Sequence, residues 1–339
     1  KSESRNITVQ GGAQTTNFKL NALDYEDSRH FFIAHFFRNR YEDALARLPI
    51  INSNVNITKI EVWVTEKGAA VTENRNIVAF MDLAESLPYN NQLSLTTGNT
   101  NPDNLTNNLL YQLSDTARLR NINLVNEYLS LHPLGLISGR DFEKVENARK
   151  LKTNEFTFNS KLGFISLNYP LNPDQVLAVA YQYTLVGQDN KIYQVGEFSD
   201  QGISTPKALM VKMLKSTAID TRIPIWKLMM KNVYNLNAYQ INREDFIFNI
   251  LYSGSVNSVP TGYLLEGPPD VQGVPLIRVM NFDNLTPQLN PPHDGFFDFL
   301  DGAATSGGTI QSSSGRIYFT MVEPFGSFLR RRLVEQALG

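Results

Sequence analysis

The chain of 339 residues contains no cysteine. That excludes disulfides, thiolate metal ligands and cysteine nucleophiles, and says little about compartment. Charge of one sign is missing as well. With 31 basic and 33 acidic residues the formal net charge is −2, so bulk attraction to nucleic acid or to an anionic membrane is not indicated. No apolar run approaches the roughly 18 residues of a membrane helix, and no signal peptide is visible. The first residue is Lys1 rather than Met, so the sequence reads as an excised piece of a longer chain, with any targeting or anchoring element outside it. Chemistry-bearing motifs are lacking too. There is no Gly-x-Ser-x-Gly, no Walker loop and no Gly-x-Gly-x-x-Gly, so hydrolase, nucleotide and dinucleotide readings have no support.

What is present is organised around residues 25–65. Asp24, Glu26 and Asp27 place carboxylates at the positive end of a helix dipole, and Asp24, Asp27 or Ser28 would serve as N-cap. Ile33, Phe36, Phe37, Tyr41, Ala44, Leu45 and Leu48 recur at three- and four-residue spacing, which predicts one long amphipathic helix ended by Pro49. Burying four or five such side chains contributes on the order of 10 kcal/mol before entropy is subtracted, so the helix needs a sheet or other helices to lie on. A strand follows. Thr58, Ile60, Val62 and Val64 point one way; Lys59, Glu61, Trp63 and Thr65 point the other. Residues 76–83 read as a return strand, and antiparallel pairing of the two under the helix is expected.

The rest of the chain divides by composition. Residues 1–20 predict one or two short strands about Gly11-Gly12, and residues 1–87 form a helix-plus-sheet unit. Residues 88–151 read as a helical insertion: an Asn- and Thr-rich loop, a helical pattern from Leu109 to Leu131, and a short exposed helix from Asp141 to Leu151. Residues 152–339 read as a β-rich domain with short helices, packed as a β-sandwich. Its strands are expected at 155–168, 176–185, 192–198, 207–214, 246–251, 276–282 and 316–322. Helices are expected at Pro224–Leu236 and 325–338. The fold class is therefore α+β, with antiparallel sheets.

Four constellations bear on chemistry. His30 and His35 lie about 140° apart around a helix and, with His132 and His293 distant, make a poor zinc site. Asp283, Asp294, Asp298 and Asp301 could hold calcium or form a glycosidase pair; the plainer reading is turn-forming aspartates beside Phe296, Phe297 and Phe299. Arg330, Arg331 and Arg332 fan over about 200° of a helix, which makes a solvated surface rather than an anion site. Trp63, Tyr169, Tyr181, Tyr183 and Tyr193 would suit sugar stacking, but at strand spacing aromatics are more often core or cross-strand pairs. No catalytic, cofactor-binding or metal-binding residue is assigned.

Several long strings nonetheless carry a resemblance. DYEDSRHFFIAHFFRNRYEDALARLPIINSNVNITKIEVWVT, RNIVAFMDLAE, FNSKLGFISLNYPLNPDQVLAVAYQY, YQVGEFS, WKLMMKNVYNL and GRIYFTMVEPFG are similar, in colinear order, to the SprA (Sov) family. These are outer-membrane translocons of the type IX secretion system of Bacteroidetes. The resemblance is weakest over about 88–150 and 253–275. It implies membership of a very large β-barrel that passes folded cargo across the outer membrane and is linked to gliding motility. The implied partners are the rest of its own barrel chain, a PorV-type outer-membrane barrel, a periplasmic plug protein and secreted cargo proteins, with no nucleic acid. It implies no enzyme and no cofactor. Sustained alternating strands of a membrane barrel are lacking, so an extra-membrane domain is expected, on the extracellular side as part of a cap over the pore. The alternative is a surface glycan-binding module.

Overall fold

The structure, a computed structural model, describes residues 19–66, 74–96, 100–188, 191–254 and 259–334, together with the strand backbones of Ser2–Ser4, Val9–Gln10 and Thr15–Thr16. The chain forms two compact units, one of residues 28–40 and 53–230, the other of residues 1–27, 41–52 and 231–339.

The first unit is built on a closed barrel of five strands. Val55–Val64 pairs antiparallel with Leu177–Leu185, which pairs with Leu209–Lys215. Leu209–Lys215 runs parallel to Asn74–Phe80, and Asn74–Phe80 pairs antiparallel with Phe142–Lys150. Phe142–Lys150 closes the ring on Trp63 and Val64. A further strand, Ile192–Val195, folds back on Leu177–Leu185. Closure removes the exposed strand edges an open sheet would offer for pairing.

Register separates the two faces of this barrel. Val62, Val179, Lys212, Phe80 and Phe142 lie opposite one another on one face; Trp63, Ala178 and Met213 lie on the other. All are buried. The first face carries Tyr181, whose ring meets Phe37 of the His35–Leu45 helix edge-on at 5.9 Å. Phe37 also meets Tyr183 edge-on at 5.9 Å, so the helix packs on this face beyond the Leu177–Val179 pairing with Leu209–Lys215.

The sequence expectation of one long helix is corrected here. Only His35–Leu45 is helical; His30–Phe32 is a strand, paired with Phe164–Ser166. His30 to Ala34 are buried without a break, and such a run has no helical period to enforce. Gly163, with φ +66°, makes the close approach possible: a Cβ there would overlap the Phe37 ring.

Two more expectations fail in this unit. Val55–Val64 and Asn74–Phe80 are both strands but do not pair; Phe142–Lys150 lies between them. That segment is a strand and not the exposed helix expected over Asp141–Leu151. Val145 and Ala148 are buried three residues apart because the register shifts between them, with Asn147 at φ 54°. A bulge inserts one residue into the strand period and so mimics a helical spacing. The pattern over Leu109–Leu131 does give helix, broken into Leu109–Gln112, Thr116–Arg120 and Val125–Leu131. Asp115 caps the second by accepting from the Arg118 N–H at 3.2 Å. The 155–168 strand is the hairpin Phe156–Asn159 and Phe164–Leu167.

Tyr181 supplies a prediction of unusual sign. Its hydroxyl is fully buried and has no hydrogen-bond partner among the described residues. Leaving a buried hydroxyl unsatisfied costs about 1–3 kcal/mol, so Tyr181→Phe is expected to leave stability unchanged or raise it by about 1 kcal/mol. Urea unfolding curves would check this; a clear loss of stability would show that the hydroxyl has a partner.

The second unit is held by aromatic packing around small sheets. Val233–Asn235 and Ile310–Gln311 flank Arg316–Tyr318 in a three-stranded sheet, Ser2–Ser4 pairs with Ile250–Tyr252, and Val9–Gln10 pairs with Thr15–Thr16. The Gly11-Gly12 turn expected between the last two lies outside the described residues. Phe246, Phe248, Phe282 and Phe319 interlock with Ile277 and Met280 in the core. Phe246, Phe248 and Ile250 share one buried face as expected, although only Ile250–Tyr252 is a paired strand.

Further expectations need correction. Leu276–Val279 is a short helix and not a strand, starting after Pro275, whose fixed φ suits a helix entrance. Pro224–Leu228 is a single 3-10 turn, and the expected helix gives way to the Val233–Asn235 strand. The terminal helix is observed as Leu329–Val334 after a wide turn over Pro324–Phe328; its expected end lies outside the described residues. The β-sandwich expected of the second half is overturned, because Leu177–Leu185 and Leu209–Lys215 belong to the barrel.

Candidate functional site

The aspartate-rich loop singled out in the sequence borders a hollow of about 550 Å³ in the second unit. Two segments form it: residues 243–247, carrying Arg243, Glu244, Phe246 and Ile247, and residues 285–299, carrying Leu289, Asp294, Phe296, Phe297, Asp298 and Phe299. The turns are tied by the aspartates themselves. Asp283 is fully buried; its Oδ2 takes the Arg278 guanidinium at 2.9 and 3.0 Å, and its Oδ1 accepts from the Asp294 and Gly295 N–H groups at 2.9 Å. Asp298 accepts from the Asn284 N–H at 2.8 Å and the Leu285 N–H at 3.1 Å. Asp294 accepts from the Phe296 N–H at 2.9 Å, and Asp301 from the Ser312 N–H at 2.9 Å. The plainer reading of these residues, turn formation beside aromatic anchors, matches their bonding. Phe297 and Phe299 pack against Phe246 at 5.3 and 5.7 Å, whereas Phe296 stands 68% exposed on the rim.

Burial acts on Asp298. It pushes the carboxyl up to about 6 against its two N–H bonds, with the charges of Asp283 and Asp294 adding to the rise. An acid raised in the folded state favours folding most below its free value, and that contribution is lost as pH rises through the folded value. The carboxyl carbon of Asp298 is therefore expected to titrate in an NMR pH series with a midpoint near 6, and the group weakens the fold between about pH 4 and 6. A midpoint at the ordinary aspartate value would contradict this environment.

The other sequence candidates are dispersed. His30 bonds Ser166 Oγ at 2.8 Å, His132 Nδ1 accepts from the Leu134 N–H at 3.3 Å, and His293 is exposed. Among the described residues no three acidic or histidine side chains converge as metal ligands would. Arg331 pairs with Glu42 at 2.9 Å and Arg332 with Asp270 at 3.0 Å, so the basic run fans apart. Of the five strand aromatics, Trp63, Tyr181, Tyr183 and Tyr193 are buried, with Tyr183 stacked on Tyr193 at 5.0 Å. Tyr169 is exposed. These five form no sugar platform.

Sequence reasoning missed a charged knot in the first unit. Lys212 is fully buried on the barrel face that carries Tyr181 and pairs with Glu85 at 2.7 Å. It also donates to the Met81 carbonyl. The same Glu85 oxygen meets His35 Nδ1 at 3.0 Å, while His35 Nε2 bonds the Pro224 carbonyl at 3.0 Å. Burial alone would push Glu85 up; Lys212 and then His35 outweigh it and hold the carboxyl at about 2. The available signal was one lysine in the middle of the apolar run LMVKMLK. This is structural chemistry: every charge is committed to another.

Residues 1–101 match the family model SprA_N, described as motility related/secretion protein. The match takes in the His35–Leu45 helix and the Val55–Val64 and Asn74–Phe80 strands, and stops before the other three strands of the barrel. No curated protein matches the chain.

Proposed function

We propose, on the premise that residues 1–101 carry the SprA_N motility and secretion domain, that the chain is an extra-membrane structural and interaction module of a large outer-membrane protein-export channel. The family match is the observation that carries this reading. Supporting it, the similar strings quoted above continue through both compact units, and the buried charges and aspartates serve packing and turns. No helix among the described residues is long and apolar enough to cross a membrane. In this reading the module acts by contact with the rest of its own barrel chain, with a PorV-type barrel and a periplasmic plug, and with exported cargo, on the extracellular side.

The absence of cysteine makes the location testable. Tyr169 is 82% exposed, and Tyr169→Cys would supply one thiol in this segment. In otherwise cysteine-free full-length protein, a membrane-impermeant maleimide is expected to label it in intact cells. Labelling only after the outer membrane is opened would put the module on the periplasmic side. Replacing the segment by a linker in the parent gene is expected to stop surface delivery of secreted proteins while the remainder still inserts. Undiminished secretion would remove the export reading.

A further inference from the structure

The hollow bordered by residues 243–247 and 285–299 lies outside the matched family region and plays no part in the barrel. Its volume of about 550 Å³ falls in the range that accommodates a small ligand or a few side chains. Its walls combine two chemistries. Phe246, Phe297, Phe299 and Leu289 give an apolar floor, and Glu244, Asp294 and Asp298 bring three acids against one base, Arg243. Arg243 Nη2 donates to the Pro287 carbonyl at 2.6 Å, and its single positive charge leaves the acids in excess. Asp294 spends Oδ1 on the Phe296 N–H, and its Oδ2 is bonded to nothing among the described residues. The bond also holds this carboxylate within one turn of the exposed Phe296 ring. On the rim Phe296 is 68% and Ile247 51% exposed, two large apolar side chains that lose water contact only when something lies over them.

An aromatic face beside carboxylates attracts a cation, through the ring quadrupole and through the charges. The acid excess disfavours phosphate and anionic lipid. The two exposed rim residues call for an occupant wider than a free cation, one with apolar groups on either side of its charge. We propose that this hollow binds an extended peptide through a basic side chain set over Phe296 and Asp294, with the neighbouring apolar side chains covering Ile247 and the phenylalanine floor. The inference does not depend on the export reading.

The test uses the 339-residue chain, isotope-labelled and titrated with acetyl-Leu-Arg-Leu-Arg-Leu-amide, followed by NMR. Saturating shifts are expected at the amides of Ile247, Asp294 and Phe296, weakened by high salt. The same peptide with Glu in place of Arg is expected not to bind. Phe296→Ala, at an exposed position, and Asp294→Asn, which keeps an oxygen for the Phe296 N–H, are each expected to weaken binding about five- to tenfold. Asp301→Asn removes one charge outside the hollow and is expected to leave binding unchanged. Equal binding of the Glu peptide, undiminished binding by both hollow variants, or no shift at these amides would overturn the proposal. Free arginine binding as tightly as the peptide would overturn its peptide part. Because the readout is direct binding, its failure leaves the export reading standing, and failure of the secretion test leaves this one standing.

Discussion

Replacing Lys212 by Met is expected to cost the barrel unit about 3–5 kcal/mol of stability, because the change strands Glu85 as a buried charge missing its principal partner. The ammonium and carboxylate lie 2.7 Å apart, with the lysine fully out of solvent and the glutamate nearly so. His35 remains at 3.0 Å from the same oxygen but is partly exposed and bound to the Pro224 carbonyl as well, so it compensates only in part. The cost lies in the broken pair more than in the lost attraction, since buried ion pairs gain little over apolar replacements of the same shape. The double variant Lys212→Met with Glu85→Gln is therefore expected to lose much less than the sum of its two single changes. Both tryptophans, Trp63 and Trp226, lie in this unit, so urea unfolding followed by their fluorescence reports on it. Additive single and double effects would show that the pair is not coupled.

The same knot sets an acid limit. Glu85 is held at about 2 in the folded state, below its ordinary value of 4.5. A depressed acid contributes stability that is fully present above the free value and lost as pH falls through the folded value. The contribution of Glu85 is therefore expected to fade between about pH 4.5 and pH 2, and Glu85→Gln to flatten that part of the profile.

Gly315→Ala is expected to be the most damaging single change in the second unit, costing about 2–5 kcal/mol: about 1–2 for a side chain in the left-handed region and the rest for overpacking. Gly315 has φ 62° and follows the Ser312–Ser314 turn into the Arg316–Tyr318 strand. Its carbonyl accepts from the Leu236 N–H at 2.8 Å. A Cβ there would overlap the backbone carbonyl of Ala238, and backbone cannot swing aside as a side chain tip can. Hydrogen exchange at Leu236 and Phe319 is expected to quicken in the variant. Gly273→Ala is the control: φ is +71° and nothing lies within 4 Å of the added carbon, so only the conformational cost of about 1–2 kcal/mol remains. Similar effects at the two glycines would rule out the clash.

Strong local signals in the sequence led to the right element in many places. Val55–Val64, Leu177–Leu185 and Leu209–Lys215 are β-rich runs bounded by turn residues, and each is a strand. Asp283, Asp294, Asp298 and Asp301 sit where Asn, Pro and Gly mark turns, and each bonds backbone amides there. Failures came where burial is continuous or a bulge breaks the period. Residues 30–34 are buried on all sides and so carry no face. Phe142–Lys150 contains Glu, Lys and Ala, all good helix formers, yet its ladder partners on both edges make it a strand.

By itself the sequence determined the chemical class of this protein: no thiol chemistry, no assigned catalytic motif, strands and a helix with apolar faces to bury, and a first part, residues 1–101, that matches a motility and secretion family model. These follow from residue identity and local periodicity, which need no knowledge of distant neighbours. Only the tertiary structure decided that five strands close into a ring, that Phe142–Lys150 is one of them, and that Lys212 meets Glu85. It also showed that Asp294 and Phe296 border a hollow with Arg243. Each of these joins residues far apart in the chain, and the free energy that makes such partners meet is a sum over the packed whole that no local pattern records.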